Sequence, residues 1–135
     1  MIVDKDEMKV LLISNDKSLQ TIFDNYYNNQ NITKNVISKI TAPFDVLAEF
    51  YSFQPSVILI DDDFLKPHTE KIIETIRKFN KEVIILFITS HTSFELGKKI
   101  TPLGIYYYCI KPVTKENFYE LLDAINNTIN KKHLH

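Results

Sequence analysis

Four stretches of the chain end an apolar run in residues that can do chemistry: Ser14-Asn15-Asp16, Asp61-Asp62-Asp63, Thr89-Ser90 and Lys111. Three adjacent carboxylates repel one another, so water, a cation or a metal must offset them. Carboxylate and carbonyl oxygens suit a hard cation such as Mg2+. A lysine and a hydroxyl suit the oxygens of a phosphoryl group, and an aspartate can be the nucleophile of phosphoryl transfer. That chemistry requires the four stretches to meet.

The elements that must bring them together are short and strongly patterned. Ser56 to Ile60 is an apolar, β-branched run between Pro55 and Asp61, which reads as a strand buried on both faces. Lys9–Ile13 and Val83–Ile88 are runs of the same kind, so 9–13, 57–60 and 83–88 are expected to be the inner strands of a parallel sheet. Val36–Ile40 carries Ser38 and Lys39, as an edge strand does, and Ile105–Ile110 is the last strand. Helical stripes lie between them. They are Leu19, Ile22, Phe23, Tyr26 and Tyr27; then Phe44, Leu47, Ala48 and Tyr51; then Ile72, Ile73, Ile76 and Phe79. A loop from Phe64 to Thr69 precedes the third of these. Asn15, Asp16 or Ser18 could cap the first helix, and Thr41 with Pro43 announces the second. Thr92 with Glu95 fits a capping box for a short fourth helix, and Thr114 caps a last one carrying Phe118, Leu121, Leu122, Ile125 and Ile129. Strand and helix thus alternate five times. Right-handed crossovers give a doubly wound α/β sheet, and parallel strands put all four polar ends on one edge.

Composition bounds the rest. A chain of 135 residues suits one domain, 1–135, with a lead-in over 1–8 and a polar tail over 130–135 that is expected to fray. A net charge of −1 without a basic block gives no nucleic-acid surface. The single Cys109 precludes an internal disulfide and suits a reducing compartment. With no apolar segment of signal-peptide or membrane length, a cytoplasmic location and no membrane contact are expected. His68, His91, His133 and His135 lack metal-site spacing. Only Gly97 and Gly104 are glycines, and no phosphate loop follows the first strand, so no organic cofactor is expected.

With these residues in place, nearly the whole chain resembles the receiver domains of two-component response regulators. The most specific part is Gly104-x-x-x-Tyr108-x-x-Lys111-Pro112; Pro55-Ser56-Val57-Ile58-Leu59-Ile60-Asp61 and Thr89-Ser90 also match. The resemblance implies a flavodoxin-like (βα)5 fold with strand order 2-1-3-4-5. It makes Asp61 the phosphoacceptor, Thr89 and Lys111 its phosphoryl contacts, Tyr108 the switch aromatic and Pro112 a cis proline. Implied partners are a sensor histidine kinase or phosphotransfer protein. A downstream protein, or a second copy, would be met through the face of the fourth helix, last strand and last helix.

The chain also departs from the pattern. Where the family has an acidic pair that holds Mg2+, this chain has Ser14-Asn15. Asn15, Asp16, Asp61 and Asp63 remain as a weakened metal set, so weakened Mg2+ binding and slow phosphotransfer are expected. Leu65 stands where the family has proline. The expectation is a switching module rather than a turnover enzyme, limited to self-phosphorylation and slow autodephosphorylation. The alternative is a pseudo-receiver, a phosphorylation-independent scaffold in which the Lys111–Asp61 pair persists for structure. Thr89 could equally be a strand-end hydroxyl capping the next helix. Cys109 reads as a small buried hydrophobe.

Overall fold

The computed structural model describes residues 8–91 and 93–133. Residues 1–7 of the lead-in, the last two residues and Thr92, expected above as a helix cap, lie outside the described residues, while Met8 opens the first strand. Five parallel strands form one sheet: β1 (Met8–Ile13), β2 (Ile32–Ile37), β3 (Val57–Asp61), β4 (Ile84–Thr89) and β5 (Tyr107–Ile110), in the order β2-β1-β3-β4-β5. This is the expected flavodoxin-like topology. The three continuous apolar runs are its inner strands, and every residue of β3 and β4 is buried.

The helices are α1 (Lys17–Tyr27), α2 (Val46–Phe53), α3 (Thr69–Phe79), α4 (Phe94–Ile100) and α5 (Lys115–His133). The period of two along each strand divides the core. Val10, Leu12, Leu59, Leu86 and Ile88 face α1 and α5, against Phe23, Phe118 and Leu122. Leu11, Ile13, Ile58, Ile60 and Phe87 face the other way, against Phe50, Ile72, Ile76 and Ile100.

Several boundaries differ from the sequence reading. β2 begins at Ile32, because Ile32 and Thr33 pair in register with Met8 and Lys9, and it ends at Ile37 instead of Ile40. A 3-10 turn at Pro43–Asp45 precedes α2 and rotates its stripe, so Val46 and Phe50 are buried while Phe44, Ala48 and Tyr51 are exposed. Phe79 is also exposed, lying edge-on to Tyr51 with ring centroids 4.9 Å apart. The expected loop after Asp63 starts as a helical turn, Asp62–Leu65, which buries Leu65. Ser93 caps α4, taking the Leu96 N–H at 2.9 Å. The helix α5 continues through Asn130 to His133. Thr114 accepts the Asn117 N–H at 3.1 Å, as expected of the α5 cap.

Candidate functional site

Strand register decides which polar residues meet. Ile13 pairs with Ile60, so Ser14 stands beside Asp61. Asp61 pairs with Ile88, so Asp62 stands beside Thr89. Thr89 pairs with Ile110, and the Lys111 N–H continues the ladder to the Thr89 carbonyl at 2.9 Å. The four polar stretches therefore share the carboxyl edge of the sheet.

Asp61 is wholly buried there, and both of its oxygens are engaged. Oδ2 accepts the Ser14 hydroxyl at 2.6 Å and the Lys111 ammonium at 2.9 Å. Oδ1 accepts the Asp63 N–H at 3.1 Å, so Asp61 also caps the helical turn that follows. A buried carboxylate is costly unless paired and hydrogen-bonded, and these three donors meet that requirement.

Lys111 is the hub of the site. Its Nζ lies 3.2 Å from Asp16 Oδ2 and 3.2 Å from Asp63 Oδ2, besides its contact with Asp61. Burial acts to lower the Lys111 pKa, but the hydrogen bond and charge of Asp61, with Asp16 and Asp63, raise it above its ordinary value. Burial acts to raise the Asp16 carboxyl, yet the Leu19 N–H and Lys111 hold it below its ordinary value. Asp63 is held low in the same way, against burial, by the Ser90 hydroxyl and Lys111. The other oxygen of Asp16 caps α1, accepting the Ser18 N–H at 2.9 Å and the Leu19 N–H at 3.2 Å.

Thr89 is buried but faces elsewhere. Its hydroxyl donates to Asp62 Oδ2 at 3.2 Å and accepts the His91 N–H at 3.0 Å. Tyr108 is 38% exposed, and its ring centroid lies 5.2 Å from that of Phe87. Burial and the nearby Asp62 charge push its phenol pKa up. The Lys111–Pro112 peptide is cis. Beside Tyr108, a groove of about 370 Å3 runs between α4 and β5, lined by His91, Phe94, Leu96 and Ile110. A larger hollow of about 600 Å3 lies at the opposite end of the sheet around Phe50, Pro55 and Ile84, away from these groups.

The sequence reading brought Asp61, Lys111, Asp16 and Asp63 to one place, and they converge. It missed Ser14 as a direct partner of Asp61, and Asp62 as the partner of Thr89. Neither had a signal in the sequence, because both contacts follow from strand register. Asn15 is exposed.

The oxygens of Asp16, Asp61 and Asp63 have the chemistry of a hard-cation site. Each is already turned to the Lys111 ammonium, however, and Ser14 supplies a hydroxyl proton where an acidic ligand would supply charge. Among the described residues, no group of three or more His, Cys, Asp or Glu could hold a metal ion. The residues do not fit a resident Mg2+.

No protein-family model matches the chain, and no curated protein matches it in sequence. Solved structures do match in fold. A CheY-like response regulator receiver domain from Methanospirillum hungatei gives a TM-score of 0.77 at 15% identity, over 94% of this chain and 97% of that one. A receiver domain from Clostridium thermocellum gives 0.72 at 22%, over 94% and 98%. An orphan response regulator of H. pylori gives 0.72 at 15%, over 87% and 94%. Among the described residues, no helix is long and apolar enough to cross a membrane. The chain has the fold of response-regulator receiver domains, with its polar residues gathered at the carboxyl edge of the sheet.

Proposed function

We propose that this chain is an atypical receiver module, a binding and switching domain rather than a turnover enzyme, with Asp61 as its phosphoacceptor. The observation that carries this reading is the Lys111 ammonium 2.9 Å from an Asp61 oxygen at the end of the central strand. The donor would be a phosphohistidine on a sensor kinase or phosphotransfer protein, which fits a cytoplasmic location. An Asp61 oxygen would bond to phosphorus as the nitrogen–phosphorus bond breaks, with Lys111 offsetting the charge of the transferred group.

Transfer would be slow, because Asp61 is fully buried and Ser14 and Lys111 must first release it. A phosphoryl group would then offer Thr89 an acceptor to compete with Asp62. Movement of Thr89 and Tyr108 would change the face of α4, β5 and α5. Phe94, Tyr106 and Ile110 already expose apolar surface there for a downstream protein or a second copy.

Incubation with acetyl phosphate, with and without magnesium chloride, followed by intact mass, tests the assignment. One phosphoryl adduct is expected on the wild type and none on Asp61→Asn. An adduct that survives Asp61→Asn refutes the role of Asp61.

The engagement of both Asp61 oxygens favours a second reading, a pseudo-receiver that works as a scaffold without phosphorylation. It predicts no adduct on the wild type under saturating donor, and partner binding unaltered by Asp61→Asn.

A further inference from the structure

We infer that the apolar hollow at the amino edge of the sheet is a docking site for the chain's own first residues, Met1, Ile2 and Val3. The inference is independent of whether Asp61 takes a phosphoryl group.

Phe50, Pro55, Ile84 and Ile129, all buried, line this hollow of about 600 Å3 together with Tyr51 and Phe79. Tyr51 and Phe79 are 43% and 66% exposed, yet their rings meet edge-on with centroids 4.9 Å apart. Two large aromatics from separate helices thus hold one another beside a recess while much of their surface faces water, which marks an interaction site. The volume lies within the roughly 300–1,000 Å3 of clefts that bury a small ligand, so several aliphatic side chains can enter. Glu82 is the one charged residue of the lining, which selects an apolar occupant and disfavours an acidic one.

The position of β1 identifies that occupant. The Ser56 N–H donates to the Lys9 carbonyl at 2.8 Å, and Ser56 itself lines the hollow. The chain therefore enters β1 at Met8 beside the hollow, and residues 1–7 set out from there. Their pattern is Met-Ile-Val followed by Asp-Lys-Asp-Glu. At no more than about 3.6 Å per residue, the four charged residues span up to roughly 14 Å, enough to carry Val3 from the strand to the hollow. They serve as a solvated spacer, and the three apolar side chains gain by leaving water. A tether this short gives an effective concentration on the order of millimolar, an advantage that a second copy or a free partner lacks. The other end of the chain offers less, since Leu134 is the one apolar residue after His133.

The test is NMR on the full chain. In the wild type, NOEs are expected from the Ile2 and Val3 methyl groups to the ring protons of Tyr51 and Phe79. Ile2→Asp with Val3→Asp should abolish them, shift the Tyr51 and Phe79 ring resonances and lower the thermal midpoint by a few degrees. In a Phe79→Asp background, which opens the wall of the hollow, the same double change should lower the midpoint markedly less. The wild-type NOEs decide the point even where a variant fails to fold. Wild-type protein without them overturns the inference, as do NOEs from Leu134 in their place. NOEs seen only between differently labelled copies would put a second chain in the hollow and overturn it too. Equal losses in the two backgrounds count against it in the same way.

Discussion

The Thr89 hydroxyl donates its proton to the Asp62 carboxylate, 3.2 Å away, and not to Asp61. The cause is register: Asp61 stands opposite Ile88, so the next residue of each strand meets the other. Both residues are buried, Thr89 completely and Asp62 to 5% exposure. Truncating the hydroxyl would leave a buried carboxylate without that donor. Thr89→Val is expected to cost about 1–3 kcal/mol, and Thr89→Ser much less. In an Asp62→Ala background the Thr89→Val penalty should shrink, since the charge needing the proton is gone. Urea unfolding of the four proteins forms the double-mutant cycle, and equal penalties in both backgrounds would show that the pair is not coupled.

The pairing of Lys111 with Asp61 is asymmetric. Asp61 has no exposure, whereas the Lys111 side chain keeps 16% and has two further acidic partners. Removing the lysine strands a buried charge, and Lys111→Met in metal-free buffer should cost about 3–5 kcal/mol. Asp61→Asn keeps the shape, removes the buried charge and leaves Asp16 and Asp63 on the ammonium, so it should cost clearly less. Denaturant midpoints measured side by side check the order, and a reversed order would mean that Asp61 is not the buried member that needs pairing.

Ser14 makes a 2.6 Å hydrogen bond to a carboxylate oxygen inside the protein. Bonds to charged acceptors are the stronger class, so Ser14→Ala is expected to lose about 1.5–3 kcal/mol. Lys111 would remain on the same oxygen and limit the damage. If Asp61 is the phosphoacceptor, the variant should also gain the acetyl phosphate adduct faster than wild type, because one of the two groups holding Oδ2 is gone. Intact mass against time gives both rates.

These residues mark where reading the sequence succeeds and where it stops. β1, β3 and β4 were legible because a strand buried on both faces has one signature, a continuous apolar run with a polar end. Asp61 and Lys111 followed, since parallel strands put their ends on one edge. The contacts Ser14–Asp61 and Thr89–Asp62 were not legible, because they depend on register to within one residue, which tertiary packing sets. The start of β2 was hidden because Thr33, Lys34 and Asn35 suit a half-exposed edge as well as a loop. Phe79 misled because an aromatic at helical spacing reads as core, whereas here it lies on the surface against Tyr51. The α2 stripe was misplaced by the 3-10 turn, whose three residues per turn shift the phase of all that follows.

The acidic hub also sets a pH dependence. Asp16 and Asp63 are held below their ordinary value of 3.8, with burial opposing and hydrogen bonds and Lys111 prevailing. A depressed carboxyl contributes stability above that value, and the contribution is lost as pH falls through the lower folded value. Lys111 is raised above its ordinary 10.5, so its contribution is present below that pH and lost as pH rises through the higher folded value. Stability from this cluster should be flat across neutral pH and fall at both extremes. In Lys111→Met the acid limb should weaken or reverse, because protonation would then relieve repulsion among the three acids. Urea midpoints against pH for both proteins decide it, and parallel acid limbs would remove Lys111 as the cause.

Away from the site, Arg77 closes the lower end of the sheet onto the loop before β5. Its Nε donates to the Leu103 carbonyl at 2.9 Å and its terminal nitrogens to those of Asn80, Val83 and Gly104 at 3.2, 2.7 and 2.8 Å. Burial lowers the Arg77 pKa, opposed by the Glu82 charge. Only a planar fork spans four carbonyls from two segments, so Arg77→Lys should cost about 1–3 kcal/mol although it keeps the charge. Gly104 is the counterpart. Its φ of +78° is left-handed, and an added Cβ would come within 3.4 Å of Arg77 Nε. Gly104→Ala should therefore cost about 1–2 kcal/mol of backbone strain. The two changes disturb one clamp, so the double variant should lose less than the sum of the singles. Additive losses in urea unfolding would instead mean that the turn at Gly104 holds its shape without Arg77.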